Sequence, residues 1–280
     1  MNNHYPKKTV QVPTFNTYRE TDAGKPLVLD VRNLGIDFGG LTAVDSFNVS
    51  LGPTEICGLI GPNGAGKTTV FNLLTGVYQP TRGSVLVNGI DTKGMSASKV
   101  TRLGIARTFQ NIRLFTDMTV LDNVKVGMHN QIKCAFLSST LHLPSYYAAE
   151  RKANQRAMEL LGFMGLAELA DQKAGSLPYG VQRRLEIVRA LATNPSIILL
   201  DEPAAGMNPS ETTELMHQIR RIRDTFHIAI FLIEHDMNLV MNVCETIAVL
   251  NYGRLIAKGT PEEIRQNPQV IEAYLGKEDA

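Results

Sequence analysis

The sequence predicts an α/β fold: a parallel β-sheet covered by helices, an antiparallel sheet near the N-terminus, and an inserted helical region. Three features predict it. Short apolar segments alternate with helical ones after Pro195, which is typical of a parallel sheet covered on both faces. Residues 122–175 show helical periodicity and little strand pattern. A glycine-rich loop at residues 61–69 joins an apolar strand to a helix.

The N-terminal half is predicted to begin with strands. Residues 27–31 and 43–49 alternate apolar and polar side chains, as strands of an antiparallel sheet do. Residues 84–89 form a further strand that runs into an Asn-Gly turn. Residues 55–60 are an apolar strand before the glycine-rich loop, and residues 68–74 continue as a helix. We therefore expect an antiparallel sheet beside the loop.

The middle and the C-terminal part have different periodicities. Apolar residues at helical spacing form two stripes, Ala157, Leu160, Leu161 and Met164, then Val181, Leu185, Val188 and Ala192. We interpret both stripes as packing faces of helices. The C-terminal part is predicted as strand 197–200, helix 210–223, strand 228–233, helix 237–243 and strand 246–250. Asn208-Pro209 is a favourable start for the first of these helices.

Residues 1–26 differ from the rest of the chain because they are polar and aperiodic and contain Pro6, Pro13 and Pro26. We predict a flexible N-terminal extension with no assigned function. The remaining residues, 27–280, are expected to form a single domain. No apolar core follows the lysines in residues 1–8, so no signal peptide is expected.

The composition argues against several classes of protein. The 280 residues are 44% hydrophobic and carry a formal net charge of +1, so a nucleic-acid partner is not expected. Apolar runs such as residues 228–233 are too short to cross a bilayer. Cys57, Cys134 and Cys244 are scattered without a CxxC pair, which favours a reducing compartment and argues against zinc.

The glycine-rich loop has the composition of a phosphate-binding loop. Its residues are Gly61, Pro62, Asn63, Gly64, Ala65, Gly66, Lys67, Thr68 and Thr69. Its glycines let backbone amides curl around phosphates, and the next helix adds partial positive charge at its start. Lys67 is expected to reach the β- and γ-phosphates of ATP or GTP, and Thr68 to place its hydroxyl on Mg²⁺. A turn that only connects strand to helix would not require Lys-Thr at this offset.

Polar side chains follow two of the predicted strands. Asp201 and Glu202 end the apolar run 197–200, and parallel sheets bind ligands at this carboxyl edge. We expect Asp201 to hold Mg²⁺ through its water shell and Glu202 to polarise the water that attacks the γ-phosphate. His235 follows the next strand and is expected to contact the γ-phosphate. The alternatives are a solvated acidic turn and a structural histidine.

Five segments occur in the order and approximate spacing of an ABC transporter ATPase subunit, which the chain resembles from about Leu27 to its end. They are the loop at Gly61, the segment around Gln110, residues 177–184, the Asp201-Glu202 strand and His235. Residues 111–115, 201–209 and 259–264 are similar to one branch, the LivG/BraF-type ATP-binding subunits of branched-chain amino acid importers. The resemblance implies a P-loop NTPase core with a helical subdomain inserted at about residues 112–190.

The resemblance also implies roles for individual residues. Gln110 would link Mg²⁺ to the attacking water. Phe38 would stack on adenine, and as a lone Phe it could equally belong to the core. Residues 111–118 would face a permease, which would couple nucleotide state to the membrane partner. Residues 205–208 would line the contact with a second ATPase subunit.

The signature segment, residues 177–182, would come from that opposite subunit. In the family it presents a helix N-terminus to the γ-phosphate, so the expected contacts in trans are Tyr179, Gly180 and Val181. The sequence departs here from the usual Leu-Ser-Gly-Gly-Gln, because Pro178 has neither a hydroxyl nor an amide proton. Gly180, the amides of the helix start and Arg183 remain, so we expect binding in trans to be retained.

The resemblance implies an ATP-hydrolysing subunit, with ATP and Mg²⁺, that powers import of leucine, isoleucine and valine. Its implied partners are a second ATPase subunit, identical or paralogous, an integral-membrane permease and, indirectly, a periplasmic or extracellular substrate-binding protein. The expected location is peripheral, at the cytoplasmic face of the inner membrane. Two alternatives remain. One is a soluble ABC-type regulator without a permease, and the other is an adaptor that no longer hydrolyses ATP, as Pro178 and Val181 would suggest.

Overall fold

The structure is a computed structural model that describes residue 22 and residues 24–129 and 144–275. Most of the predicted N-terminal extension and Cys134 lie outside these ranges. Asp22 is buried, and its carboxylate accepts hydrogen bonds from the amide and the hydroxyl of Thr54 at 2.8 and 3.0 Å. Among the described residues, every helix is too short or too polar to span a lipid bilayer.

The described residues form two sheets and a set of helices. The strands are β1 (Leu29–Phe38), β2 (Leu41–Leu51), β3 (Ile56–Ile60), β4 (Arg82–Val87), β5 (Ile90–Asp91), β6 (Ile105–Arg107), β7 (Ile197–Asp201), β8 (Ala229–Ile233), β9 (Thr246–Asn251) and β10 (Arg254–Gly259). The helices are α1 (Lys67–Leu74), α2 (Ala97–Arg102), α3 (Val120–Gly127), α4 (Pro144–Phe163), α5 (Tyr179–Leu191), α6 (Pro209–Phe226), α7 (Met237–Val243), α8 (Pro261–Arg265) and α9 (Pro268–Leu275).

The first sheet is antiparallel, with the strand order β2-β1-β4-β5, as predicted. The Asn-Gly turn is also confirmed, because Asn88 and Gly89 both have positive φ, 50° and 77°. Strand β1 extends further than predicted. Its pairing with β2 shifts register after Val31, and Asn33 has a φ of 47°. This irregularity interrupts the alternation of side chains on which the prediction depended.

The central sheet has the strand order β10-β9-β3-β8-β7-β6. Neighbouring strands from β9 to β6 are parallel, and β10 pairs antiparallel with β9 at one edge. Every residue of β3, β7 and β8 is buried, because helices or the first sheet cover both faces. The parallel α/β core is therefore confirmed, and the edge strands β6 and β10 were not predicted.

The region between β6 and β7 is helical where the structure describes it. Helices α3 and α5 pack against each other, and α4 packs against both. Of the predicted stripes, all residues are buried except Val181, which is partly buried against the same core. Both stripes are therefore packing faces, as predicted.

Helix α6 shows how local sequence sets an element boundary. The Asn208 side chain accepts a hydrogen bond from the Glu211 amide at 3.0 Å, and the Glu211 side chain accepts one from the Asn208 amide at 2.9 Å. Pro209 occupies the first helical position, where its missing amide proton costs nothing. The predicted start of this helix is confirmed.

Candidate functional site

The carboxyl ends of β3, β7 and β8 lie side by side, because these strands are parallel neighbours in the central sheet. The phosphate-binding loop follows β3, Glu202 follows β7, and His235 lies just beyond β8. The loop that carries Gln110 follows β6, which pairs with β7. The topology therefore brings four sequence-predicted segments to one edge of the sheet.

The phosphate-binding loop is held tightly against neighbouring backbone. Gly61 has a φ of 150°, and a Cβ at this position would lie 2.0 Å from the carbonyl oxygen of Leu250. Gly66 has a φ of 103°, and its Cβ would lie 2.8 Å from the carbonyl oxygen of Ala43. Only glycine fits at these two positions, so the loop packs between β9 and β2 with its conformation set by both.

Lys67 is buried at the start of α1, and its ammonium turns back onto the loop. Its Nζ donates hydrogen bonds to the carbonyl oxygens of Gly61 at 2.6 Å and Pro62 at 3.0 Å. Burial lowers the pKa of Lys67, and the nearby Glu202 carboxylate acts in the opposite direction. The loop thus holds the ammonium group of Lys67 close to Glu202.

Glu202 lies between two of the predicted residues. Gln110 Nε2 donates a hydrogen bond to Glu202 Oε2 at 2.7 Å. His235 Nε2 lies 2.9 Å from Glu202 Oε1, with its proton placement set by the tautomer. The structure therefore brings Gln110, Glu202 and His235 into direct contact at the sheet edge.

The backbone at Glu202 is strained, with a φ of 48° in the left-handed region. A non-glycine residue in this conformation costs on the order of 1–2 kcal/mol. The Glu202 amide donates to the carbonyl oxygen of Ile233 at 2.9 Å, which ties the end of β7 to the end of β8. The bend turns the chain immediately after Asp201, so the two adjacent carboxylates have different surroundings.

Asp201 is buried and paired with a residue that the sequence analysis missed. Arg107 Nη2 lies 2.6 Å from Asp201 Oδ2, and Arg107 Nη1 donates to Asn72 Oδ1 at 2.7 Å. Arg107 ends β6, a strand of three residues, which is too short to produce a recognisable pattern. The guanidinium fixes one carboxylate oxygen and joins the end of β7 to helix α1.

Glu234 is a second missed residue, next to His235. It is buried, and its carboxylate accepts hydrogen bonds from the Ala204 amide at 2.7 Å and the His235 amide at 3.0 Å. Burial raises the pKa of Glu234. Glu234 joins the loop after β7 to the loop after β8 and so helps to place His235.

The donor set of the site fits Mg²⁺. Mg²⁺ prefers oxygen ligands and is usually held by one or two carboxylates together with substrate phosphates. Asp201 supplies a carboxylate at the strand end, and the exposed Thr68 supplies a hydroxyl in the first turn of α1. The described residues contain no cluster of three or more His, Cys, Asp or Glu side chains that would hold a metal alone.

Phe38 is not a core residue, because 43% of its surface is exposed. Its ring makes an edge contact with Tyr78, with ring centroids 5.4 Å apart. Tyr78 was not predicted as part of the site. The two rings form an exposed aromatic pair at the end of β1, which stays the predicted place for adenine.

The signature segment lies at the start of α5. Tyr179 is exposed, and a Cβ at Gly206 would lie 3.1 Å from its ring. Gly180 faces the Glu211 side chain, whereas Val181 packs partly buried against the core. Among the described residues, no hydrogen bond or ion pair joins this segment to the phosphate-binding loop of the same chain. Contact with nucleotide in trans stays a prediction.

Arg183 is not available to a second subunit, contrary to the sequence-based expectation. Its side chain is 2% exposed. Its guanidinium donates hydrogen bonds to the carbonyl oxygens of Phe109, at 2.6 Å, and Gln110. The expectation was wrong because Arg183 lies on the face of α5 that packs against the Gln110 loop.

Replacement of Gly61 by Ala is expected to lower the unfolding temperature sharply and abolish nucleotide binding, because Cβ would overlap the Leu250 carbonyl. Gly64→Ala is the matched control. Gly64 also has a positive φ, 77°, but a Cβ there meets no atom within 4 Å. Its backbone strain of about 1–2 kcal/mol predicts a decrease of a few °C. Thermal unfolding and ATP titration of both variants test this, and equal behaviour would contradict the packing argument.

A family model described as "ABC transporter" matches residues 44–205, more than half of the chain. The chain belongs to the ABC transporter family. A second family model, described as "Branched-chain amino acid ATP-binding cassette transporter", matches residues 254–280. The two matches agree with the motifs around the phosphate-binding loop and with the resemblance seen at residues 259–264.

Relatives and solved structures agree with this assignment. The high-affinity branched-chain amino acid transport ATP-binding protein LivG of Escherichia coli (strain K12) is 50% identical over 250 residues, 89% of this chain and 98% of LivG. BraF of Pseudomonas aeruginosa, with the same description, is 47% identical over 89% of this chain and 98% of BraF. A crystal structure of an ABC transporter's ATP-binding cassette in its ADP conformation has a TM-score of 0.78 at 30% identity, covering 90% of this chain and 99% of that one.

These comparisons confirm the predicted family, the ABC ATPase fold class and an ATP-hydrolysing role in transport. They favour neither of the two alternatives, the soluble regulator and the non-hydrolysing adaptor. A transport ATP-binding subunit is one part of an ABC transporter, and its cassette binds nucleotide.

Proposed function

We propose that this chain hydrolyses MgATP to power the import of branched-chain amino acids through a membrane permease. The observation that carries the proposal is the position of Glu202, held between Gln110 and His235 at the sheet edge and close to Lys67. The substrate class, leucine, isoleucine and valine, is supported by the descriptions of LivG and BraF and of the C-terminal family match.

ATP would bind along the first sheet and the phosphate-binding loop. The exposed Phe38 ring would stack on adenine, with Tyr78 supporting its edge. The loop amides and the start of α1 would receive the phosphates. Lys67 would exchange the carbonyl oxygens of Gly61 and Pro62 for phosphate oxygens. This exchange replaces two neutral acceptors by charged ones, so its free energy favours the nucleotide-bound loop.

Mg²⁺ would be held by Thr68 and Asp201, with Gln110 nearby. When bound, the ion would neutralise charge on the β- and γ-phosphates. Arg107 pairs with one oxygen of Asp201, so the other oxygen would serve the ion. Arg107 also donates a hydrogen bond to Asn72 of α1. The Asp201 carboxylate is therefore held in a fixed position relative to the phosphate-binding loop.

Glu202 would act as the base that polarises the attacking water. In the structure its two oxygens contact Gln110 and His235. Each carboxylate oxygen has two lone pairs, so Glu202 can accept a hydrogen bond from water in addition to these contacts. A γ-phosphate oxygen would give His235 a second partner and so leave more of Oε1 open to water. His235 therefore links the presence of the γ-phosphate to the availability of the base.

Two ATPase subunits, identical or paralogous, would close around two ATP molecules. The start of α5, at Tyr179, Gly180 and Val181, would face the γ-phosphate bound by the opposite subunit, and residues 205–208 would line the contact. Moving such an equilibrium from mostly open to mostly closed takes about 5.5 kcal/mol. Contacts with the γ-phosphate at the two trans sites would supply this free energy. Hydrolysis would then remove it, because each site loses its γ-phosphate.

A cavity of about 330 Å³ next to the Gln110 loop is the proposed docking place for the permease. It lies between α2 and β6 on one side and α3 and α5 on the other. Phe109, Phe115 and Val126 give it an apolar lining, and Glu186 and Arg189 contribute charge. Phe115 is half exposed at this cavity. A peripheral position at the cytoplasmic face of the inner membrane follows from this docking, with a substrate-binding protein on the opposite side.

Replacement of Phe115 by Ser is expected to reduce transport at least tenfold while basal ATP hydrolysis stays within about twofold. The change removes an apolar docking contact and the contact of the ring with Arg189, and neither lies at the sheet edge. The Asn123 side chain holds the Phe115 amide and carbonyl oxygen at 2.9 and 3.0 Å, so the backbone should not move. Charge reversal at Arg113 is expected to have the same effect. Ile90→Ser removes an equally exposed apolar side chain outside the cavity and serves as control. Normal transport by the Phe115 variant would contradict the docking site.

Reconstitution tests the function itself. The chain is purified with its permease and second ATPase subunit, placed in proteoliposomes, and supplied with the substrate-binding protein. ATP-dependent uptake of radiolabelled leucine, isoleucine or valine is the expected result. ATP hydrolysis that drives no uptake of these amino acids would contradict the substrate class, and failure to co-purify with any permease would contradict the transport role.

A further inference from the structure

The loop that carries Gln110 is attached to α5 through backbone contacts. Arg183 donates to the carbonyl oxygens of Phe109 and Gln110. Glu186, one turn further along α5, accepts hydrogen bonds from the amides of Phe109 and Arg113, each at 3.4 Å to Oε1. In the described part of the chain, no other hydrogen bond to the backbone of residues 109–113 is found.

Arg183 and Glu186 also pair with each other inside the protein. Arg183 Nη1 lies 3.3 Å from Glu186 Oε2, and both side chains are 2% exposed. Removing two charges from water is costly, and Arg183 Nε is buried without a partner. Apolar side chains could fill the same space on α5, beside the buried Leu185 and Val188, but they could not hydrogen bond to residues 109–113. The pair therefore fixes the backbone of this loop in addition to packing α5.

We propose that Arg183 and Glu186 are positioning residues that set the place of Gln110 against Glu202. The two side chains fix the backbone on both sides of Gln110, and its side chain then reaches Glu202 at 2.7 Å. Arg183 lies one turn after Gly180, in the helix whose start would face the opposite subunit's nucleotide. The Arg183–Glu186 pair thus connects two places: the start of α5, which would contact the nucleotide of the opposite subunit, and Gln110 in the site of the same chain. This inference depends on the proposed role of Gln110 beside Glu202.

The test removes both charges at once, because a single replacement would leave an uncompensated buried charge. The double variant Arg183→Met/Glu186→Met keeps similar side-chain volume. In the assembled transporter it is expected to lower kcat about tenfold or more, with KM for ATP within about twofold. Arg183→Lys is a milder second variant, because an ammonium lacks the fork that reaches two carbonyl oxygens. Its expected loss is intermediate.

Arg184→Met is the matched control. Arg184 is adjacent on α5 but partly exposed, and it pairs with the exposed Glu214 at 3.2 Å instead of with the Gln110 loop. This variant should keep kcat within about twofold. Unfolding temperatures of all variants are measured in parallel, so a loss of stability is separated from a loss of turnover.

A double-mutant cycle with Gln110→Ala distinguishes positioning from a general structural role. If the pair acts through Gln110, adding the double replacement to Gln110→Ala lowers kcat by less than about threefold further. Multiplicative losses would overturn the inference, as would unchanged kcat in the double variant and in Arg183→Lys. If Gln110→Ala alone leaves kcat unchanged, the proposed role of Gln110 is itself wrong and the inference fails with it.

Discussion

Replacement of Lys67 by Ala is expected to abolish measurable ATP hydrolysis and to weaken ATP binding by about 100-fold or more. A hydrogen bond to a charged group is worth about 1.5–3 kcal/mol, and Lys67 would make at least one such bond to a phosphate. Its loss also leaves the carbonyl oxygens of Gly61 and Pro62 without their donor. Titration with a fluorescent ATP analogue and steady-state hydrolysis by the purified complex measure the two effects.

Lys99→Ala provides the comparison for this variant. Lys99 lies in α2 and is exposed, so Lys99→Ala removes the same positive charge but from the surface. Its ATP affinity and turnover should match those of the unchanged protein. Near-normal hydrolysis by the Lys67 variant would contradict the assignment of the phosphate-binding loop.

Replacement of Glu202 by Gln is expected to slow turnover on the order of 10²- to 10⁴-fold while ATP still binds. The amide has nearly the same shape as the carboxylate, so the contacts with Gln110 and His235 can largely remain. What is lost is the basicity that polarises water. Nucleotide affinity should change little, because Lys67 and the loop amides, rather than Glu202, are expected to hold the phosphates.

Single-turnover hydrolysis and ATP binding are measured on the same preparation of the Glu202 variant. Glu214→Gln is the control, because Glu214 is an exposed glutamate on α6 that pairs with Arg184. It should hydrolyse ATP normally. If the Glu202 variant also did so, Glu202 would not be the group that activates water, and the base would have to be sought elsewhere at the sheet edge.

Much of the fold was predictable because its strong elements are local. Strands β3, β7 and β8 are continuous apolar runs, and α6 begins with its own capping residues. The edge strands were not predictable in the same way. Strand β6 has three residues, and β10 is only partly buried, so neither gives a periodic pattern.

The residues of the candidate site were likewise predicted only in part. Lys67 was predicted from the glycine-rich loop, and Glu202 and His235 from their positions after buried strands. The structure places all three at one sheet edge. Arg107 and Glu234 were missed because a charged residue in a very short strand or in a loop has no sequence signal for burial. Arg183 was assigned to the wrong side of α5 for the same reason, since helical spacing shows which residues share a face but not what covers that face.

The sequence by itself determined the phosphate-binding loop and the strand-end carboxylates, because each is encoded in one contiguous segment. It also determined the family, because the order and spacing of five segments can be read along the chain. The tertiary structure alone decided which side chains meet. Glu202 contacts Gln110 and His235, which are 92 and 33 residues away along the chain. It also decided that Arg183 holds its own chain's Gln110 loop. Such contacts depend on the order and direction of strands and on which helix face is buried, and these are properties of the packed molecule.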